Sequence, residues 1–225
     1  MTNTLHRFGP AESFHDDFVV FAICSRGMND QGAVEKLRTF LRMAIPFKPV
    51  NLGDARHGGC LRPSKAMNPL SHWNRDITPN FEEVVAGLDV PTTAAAVFDN
   101  RVAAEDFVKS VKEADLGLSI NISTSVDGAE QCCFAAGIPR HSVGYSLGFE
   151  GKTEMLPNSQ TLSLSTMCGH GMVSHSLAKK MIDWVKEGRR TPDEAVTYMA
   201  RFCSCGVFNP SRAKRILEDA RTKMK

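Results

Sequence analysis

The residues best suited to chemistry in this sequence are cysteines. Cys203–Ser204–Cys205–Gly206 carries two thiols one residue apart, and Cys168 opens Cys168–Gly169–His170–Gly171. Thiolate is the form of cysteine that binds metals and attacks electrophiles. Both motifs are expected in short turns that feed a helix, where free amides and the helix dipole favour thiolate. Thirty-four residues separate Cys168 from Cys203, about the length of two antiparallel helices, so the chain can return to its starting point. Three converging cysteines with one open position describe a [4Fe–4S] cluster. The same three with Cys60, His170 or another donor describe a zinc site.

Other residues fill out a candidate site. His170, between two glycines, is placed to act as general acid or base, because an ordinary histidine moves protons near neutrality. Cys60, in a polar stretch after Gly58–Gly59, is a further ligand or nucleophile. The same stretch holds Arg62, Lys65 and Arg75 with His57 and His72, and such cations orient carboxylates and phosphates. Ser125, in Ser123–Thr124–Ser125–Val126–Asp127–Gly128, offers a hydroxyl beside the free amides of a helix start, a setting that suits a small anion. Cys24, at the end of the first apolar run, is a second-rank pocket residue. Cys132 and Cys133 are neighbours on a predicted helix and point about 100° apart, so they read as core.

The elements that would position these groups follow a strand–helix rhythm. Residues 18–24 are an unbroken apolar run, the pattern of a strand buried on both faces as in a parallel sheet. A helix is expected over 33–46, a short strand over 49–52 and an irregular stretch over 53–78. Thr78–Pro79 is expected to start the helix that follows. Further strands are expected over 93–98, 116–123, 142–149 and 161–166, with helices over 103–114 and 127–136. Three helices, over 171–187, 192–202 and 210–223, close the chain. This pattern predicts a layered α/β fold with a mainly parallel sheet, an α/β domain over 1–168 and a C-terminal helical subdomain over 169–225 packed on it.

Composition sets outer limits. Hydrophobic residues make up 42% and charged residues 23%, enough to build a core. A formal net charge of +2, with no block of like charge, argues against nucleic acid as partner. No apolar run approaches the roughly 18–20 residues of a membrane span. The first seventeen residues lack the apolar centre of a signal peptide, so a cytoplasmic location is expected. Seven cysteines, an odd number, do not suit a disulfide framework in that setting. No phosphate-binding loop, nucleophile elbow or dinucleotide-binding glycine motif occurs. A homo-oligomer is compatible with the sequence, which does not decide it.

Three expectations result. The first is an enzyme acting on a small anionic metabolite through a [4Fe–4S] cluster or metal on Cys168, Cys203 and Cys205, by lyase, hydratase or desulfurase chemistry. In it His170 and Cys60 are catalytic, and Arg62, Lys65, Arg75 and Ser125 bind substrate. The second is a metal-independent isomerase or transferase with a cysteine nucleophile. The third is a redox sensor or binding protein without turnover.

Overall fold

The computed structural model describes residues 5–61, 80–144 and 146–222. In chain order the elements are β1 (Phe18–Ile23), α1 (Ala33–Ala44), β2 (Asn51–Asp54), β3 (Gly58–Gly59), α2 (Phe81–Gly87), β4 (Thr93–Phe98), α3 (Arg101–Ala114), β5 (Ser119–Ser123) and α4 (Val126–Ala135). Then come α5 (Ser159–Ser165), α6 (His175–Lys186), α7 (Pro192–Ala200) and α8 (Pro210–Thr222).

The strands form one sheet in the order β3-β2-β4-β1-β5, and every neighbouring pair is antiparallel. The mainly parallel sheet expected from the sequence is therefore incorrect. β1 and β2 do run the same way and are joined through α1, but β4 lies between them. β4 and β5, joined across α3, likewise flank β1. Two crossovers that each skip one strand give the split βαβ connectivity of ferredoxin-like folds.

The unbroken apolar run of β1 arises because helices cover both faces of the sheet, and that burial does not depend on strand direction. Phe18, Val20, Ala22, Ala94, Ala96 and Phe98 face α1 and α3, where Leu37, Phe40, Leu41 and Phe107 fill the layer. Val19, Phe21, Ala95 and Val97 face the other way, onto a core built by α5 to α8 with Leu164, Met181, Met199, Phe208 and Leu217. The three expected C-terminal helices are present, and they share a core with the sheet.

Two expected strands are absent. Residues 161–166 lie in α5 and its C-cap: Asn158 accepts the Thr161 amide at 2.9 Å and starts the helix. Thr161 through Ser165 are all buried. The alternation of Leu162 and Leu164 with hydroxyl residues imitates a strand period. A short helix buried all round needs no polar face, and Ser165 and Thr166 return their hydroxyls to the Leu162 carbonyl. Over 142–149 the described residues form no regular element and are exposed. Within the stretch 53–78, expected to be irregular, Gly53 and Asp54 end β2 and Gly58–Gly59 form β3. Arg62, Lys65, His72, Arg75 and Thr78–Pro79 lie outside the described residues. The helix expected after them begins at Phe81, with Asn80 accepting the Glu83 amide.

A buried ionic network fastens the first residues to the last helix. Asp17 and Arg212 are fully buried, and Asp17 Oδ2 lies 2.9 Å from Arg212 Nη1 and 2.6 Å from Arg7 Nη1. Asn209 donates to the other Asp17 oxygen at 3.0 Å and to the Asp16 carbonyl at 2.8 Å. Arg212 also donates to the Phe8 carbonyl and the Ser13 hydroxyl, with its guanidinium 3.9 Å from the centre of the Phe14 ring.

Candidate metal centre

Cys168 lies just beyond the C-terminal end of α5, in a turn whose tightness comes from Gly169. The Gly169 amide returns to the Thr166 carbonyl at 2.8 Å, with φ of +76°. The N-terminal segment crosses this turn so closely that a β-carbon on Gly169 would lie 2.9 Å from the His6 amide nitrogen. Cys203 leaves α7 in the same manner, its amide bonded to the Ala200 carbonyl at 3.1 Å. Neither motif starts a helix, because α6 begins at His175 and α8 at Pro210. The helix-start setting expected for both motifs is therefore absent. What brings the thiols together is the α6–α7 hairpin, which returns the chain to the Cys168 turn.

The loop carrying Cys203 and Cys205 is seated on the sheet by glycine. Gly206 has φ of +73°, and a β-carbon there would come 2.6 Å from Gly53 Cα. One on Gly59 would meet Gly206 Cα at the same distance. A Gly206→Ala variant is expected to lose about 1–3 kcal/mol through the left-handed backbone conformation alone, with further loss from the collision with β2. Thermal melts beside metal-affinity titrations check this, and both are expected to fall.

Three donor atoms converge here, with Cys203 Sγ beside them. Cys203 Sγ lies 3.9 Å from Cys205 Sγ, and Cys205 Sγ lies 3.3 Å from His170 Nδ1. The donor atoms of Cys168, His170 and Cys205 all lie within 4.8 Å of one another, a group that could hold a metal ion. The Cys168 thiol also interacts with that of Cys203. The three cysteines are almost completely buried, while His170 is exposed.

The electrostatics of the group are those of shared protons. Cys203 and Cys205 hydrogen-bond to the Cys168 sulfur and hold its thiol far below the usual cysteine range; burial opposes them, and His170 adds to the lowering. Cys203 and Cys205 are correspondingly pushed up, first by their bonds to Cys168. The Cys168 sulfur raises His170, against the effect of burial. Neighbouring side chains, and not helix dipoles, thus favour thiolate at Cys168.

Cys60 sits on the near side of the sheet, in the electrostatic field of Cys203. Its thiol donates to Asn51 Oδ1 at 3.2 Å, and Asn51 Nδ2 donates to the Phe208 carbonyl at 2.9 Å. Asn51 so ties Cys60 to the loop that follows Cys205. Burial pushes the Cys60 thiol up to about 11. Beside His170 and Cys205 there is a pocket of about 20 Å³ lined by Leu5, Phe21, Ala55, Thr93, Ala95 and Val207, room for about one water molecule.

The remaining sequence candidates lie apart. Ser125 caps α4 by accepting the Gly128 amide at 3.1 Å. Cys24 packs with the core on the α1 side of the sheet and donates to the Thr92 carbonyl at 3.5 Å. Cys132 is fully buried on that same side, and burial first of all pushes its thiol up to about 12. His57 lies in the β2–β3 turn between Asp54 at 3.1 Å and Asp89 at 3.3 Å. The sequence offered His170 both as a proton carrier and as one of the alternative fourth ligands of a zinc site, and the structure puts it in the donor group. Cys168 and His170 have the same i, i+2 spacing as Cys203 and Cys205.

The fold and site together define an α/β chain with a ferredoxin-like sheet core and a group of two buried cysteines and one exposed histidine, Cys168, Cys205 and His170, that could hold a metal ion. Among the described residues no helix is long and apolar enough to cross a membrane. Comparison with protein-family models, with curated proteins and with solved structures found no match.

Proposed function

We propose that this chain is a metalloprotein with a single tetrahedral ion of the zinc type, held by Cys168, Cys203, Cys205 and His170 Nδ1. The donor spacing carries this reading. A tetrahedral ion with ordinary zinc bond lengths needs its sulfurs about 3.8 Å apart and sulfur and nitrogen about 3.5 Å apart. Two edges that meet at Cys205 match these values, 3.9 Å to Cys203 Sγ and 3.3 Å to His170 Nδ1. A [4Fe–4S] cube would need its cysteine sulfurs roughly 6 Å apart, so the spacing favours one ion over the cluster expected from the sequence.

Four protein donors and burial are the marks of a structural site. Here the ligands join the turn after α5 to the loop after α7, so a bound ion would lock the α5–α8 layer in place beneath the sheet. His170, as the exposed ligand, is the one whose exchange would open a coordination position for Lewis-acid chemistry. The adjoining pocket of about 20 Å³ suits a water and not a metabolite, which supports the structural role. The experiment is titration of the reduced, chelator-treated full chain with cobalt(II). The expected result is saturation at one cobalt per chain, with thiolate charge-transfer bands and tetrahedral d–d bands. Octahedral cobalt spectra, or none, overturn the reading.

One observation favours a second reading, a cysteine nucleophile. The Cys168 sulfur and the His170 ring interact, which lowers the thiol and raises the imidazole, the direction a thiolate–imidazolium pair needs. The sulfur is buried, however. Stoichiometric labelling of Cys168 by iodoacetamide in the native chain, with no metal bound, would favour the nucleophile.

A further inference from the structure

The two edges of the sheet are built differently. β3 is two residues long and is packed against the Gly206 loop. β5 is the long edge, with five residues, and among the described residues no strand pairs with its outer side. Proteins usually guard such an edge with lysine, proline or a bulge. β5 carries none of these. Its sequence is Ser119–Ile120–Asn121–Ile122–Ser123, which reads the same in both directions.

We infer that β5 is the contact between two copies of this chain, paired antiparallel about a two-fold axis through Asn121 to give one continuous ten-stranded sheet. The palindrome argues for a second copy as the occupant. In this register Ser119 faces Ser123, Ile120 faces Ile122 and Asn121 faces its own copy, so each contact made by one copy is returned by the other, as a two-fold interface requires. Facing isoleucines pack favourably across strands, and no charge is opposed. The new pairing repeats the antiparallel mode of the existing sheet. Ile120 and Ile122 stay partly exposed although they pack on the core. The Ser123 carbonyl accepts from Arg7 but keeps a second lone pair for the pairing.

Sedimentation equilibrium of the full chain under reducing conditions tests this. The wild-type chain is expected at twice 24.7 kDa. Asn121→Lys, which sets two like charges on the axis, and Ser119→Lys, at the exposed end of the strand, are each expected to give monomers with unchanged metal content. Directly opposed residues of an antiparallel pair lie about 4.5–5.5 Å apart, within disulfide reach. Mild oxidation of Asn121→Cys is therefore expected to give a covalent dimer linked through residue 121, identified by peptide mass. A monomeric wild-type chain overturns the inference. So does a dimer that survives both lysine variants, or one whose Asn121→Cys form does not cross-link at 121.

Discussion

Replacing Cys168 by serine is expected to abolish stoichiometric metal binding, lowering affinity by more than about the hundredfold typical of removing an outer-shell partner. Cys168 is the hub of the group. It interacts with Cys203, Cys205 and His170, and Cys205 in turn lies 3.9 Å from Cys203 and 3.3 Å from His170. Serine keeps the volume but supplies a hard, protonated oxygen where the ion requires a thiolate. Because the ligands join two separated turns, loss of the ion is also loss of folding free energy. The variant is expected to melt at the lower temperature of the chelator-treated wild type and to show no further response to chelator. Cys60→Ser is the control. Its sulfur is committed to Asn51, so the variant is expected to keep one ion per chain. Elemental analysis and paired melts with and without chelator read both outcomes.

The second large effect lies at Asp17. Its carboxylate is fully buried between Arg7 and Arg212 and accepts a hydrogen bond from Asn209. Asp17→Asn keeps the shape but leaves two buried guanidinium groups without their anion. Breaking a buried ion pair on one side costs about 3–5 kcal/mol, and denaturant unfolding should show a loss of that size. The network also has a pH signature. Burial works to raise the Asp17 carboxyl, but the charges of Arg7 and Arg212 and the hydrogen bonds from Arg7 and Asn209 outweigh it, leaving it below its ordinary value of 3.8. A carboxyl lowered in the folded state binds its proton more readily when unfolded, so its contribution is complete above about 3.8 and is lost as pH falls through the folded value. Between neutrality and pH 4, stability contributed by Asp17 is expected to stay constant. Below pH 4 the wild type should lose stability faster than Asp17→Asn, and the two curves should converge.

The site was more legible in the sequence than the sheet was. Cysteine spacing alone placed Cys168, Cys203 and Cys205 together, because a segment of 34 residues with two helical patterns can fold back on itself. The reason given for their thiolate character was wrong, since that rested on helix starts that lie at His175 and Pro210. Strand direction was not legible. A strand buried on both faces looks the same whether its neighbours run with it or against it, and only the insertion of β4 between β1 and β2 settles the matter. α5 deceived for a related reason, as full burial removes the polar face that gives a helix its period. The Asp17 network left no local signal either: Arg212 is 195 residues from Asp17 and meets it only once the helices have packed.

X-ray absorption at the metal edge of the purified, metal-loaded chain tests the central claim most directly. The account predicts a single ion with three sulfurs at about 2.3 Å and one nitrogen at about 2.0–2.1 Å, and no metal–metal vector. Iron with inorganic sulfide and a short iron–iron vector would contradict it, as would a shell made mainly of oxygen.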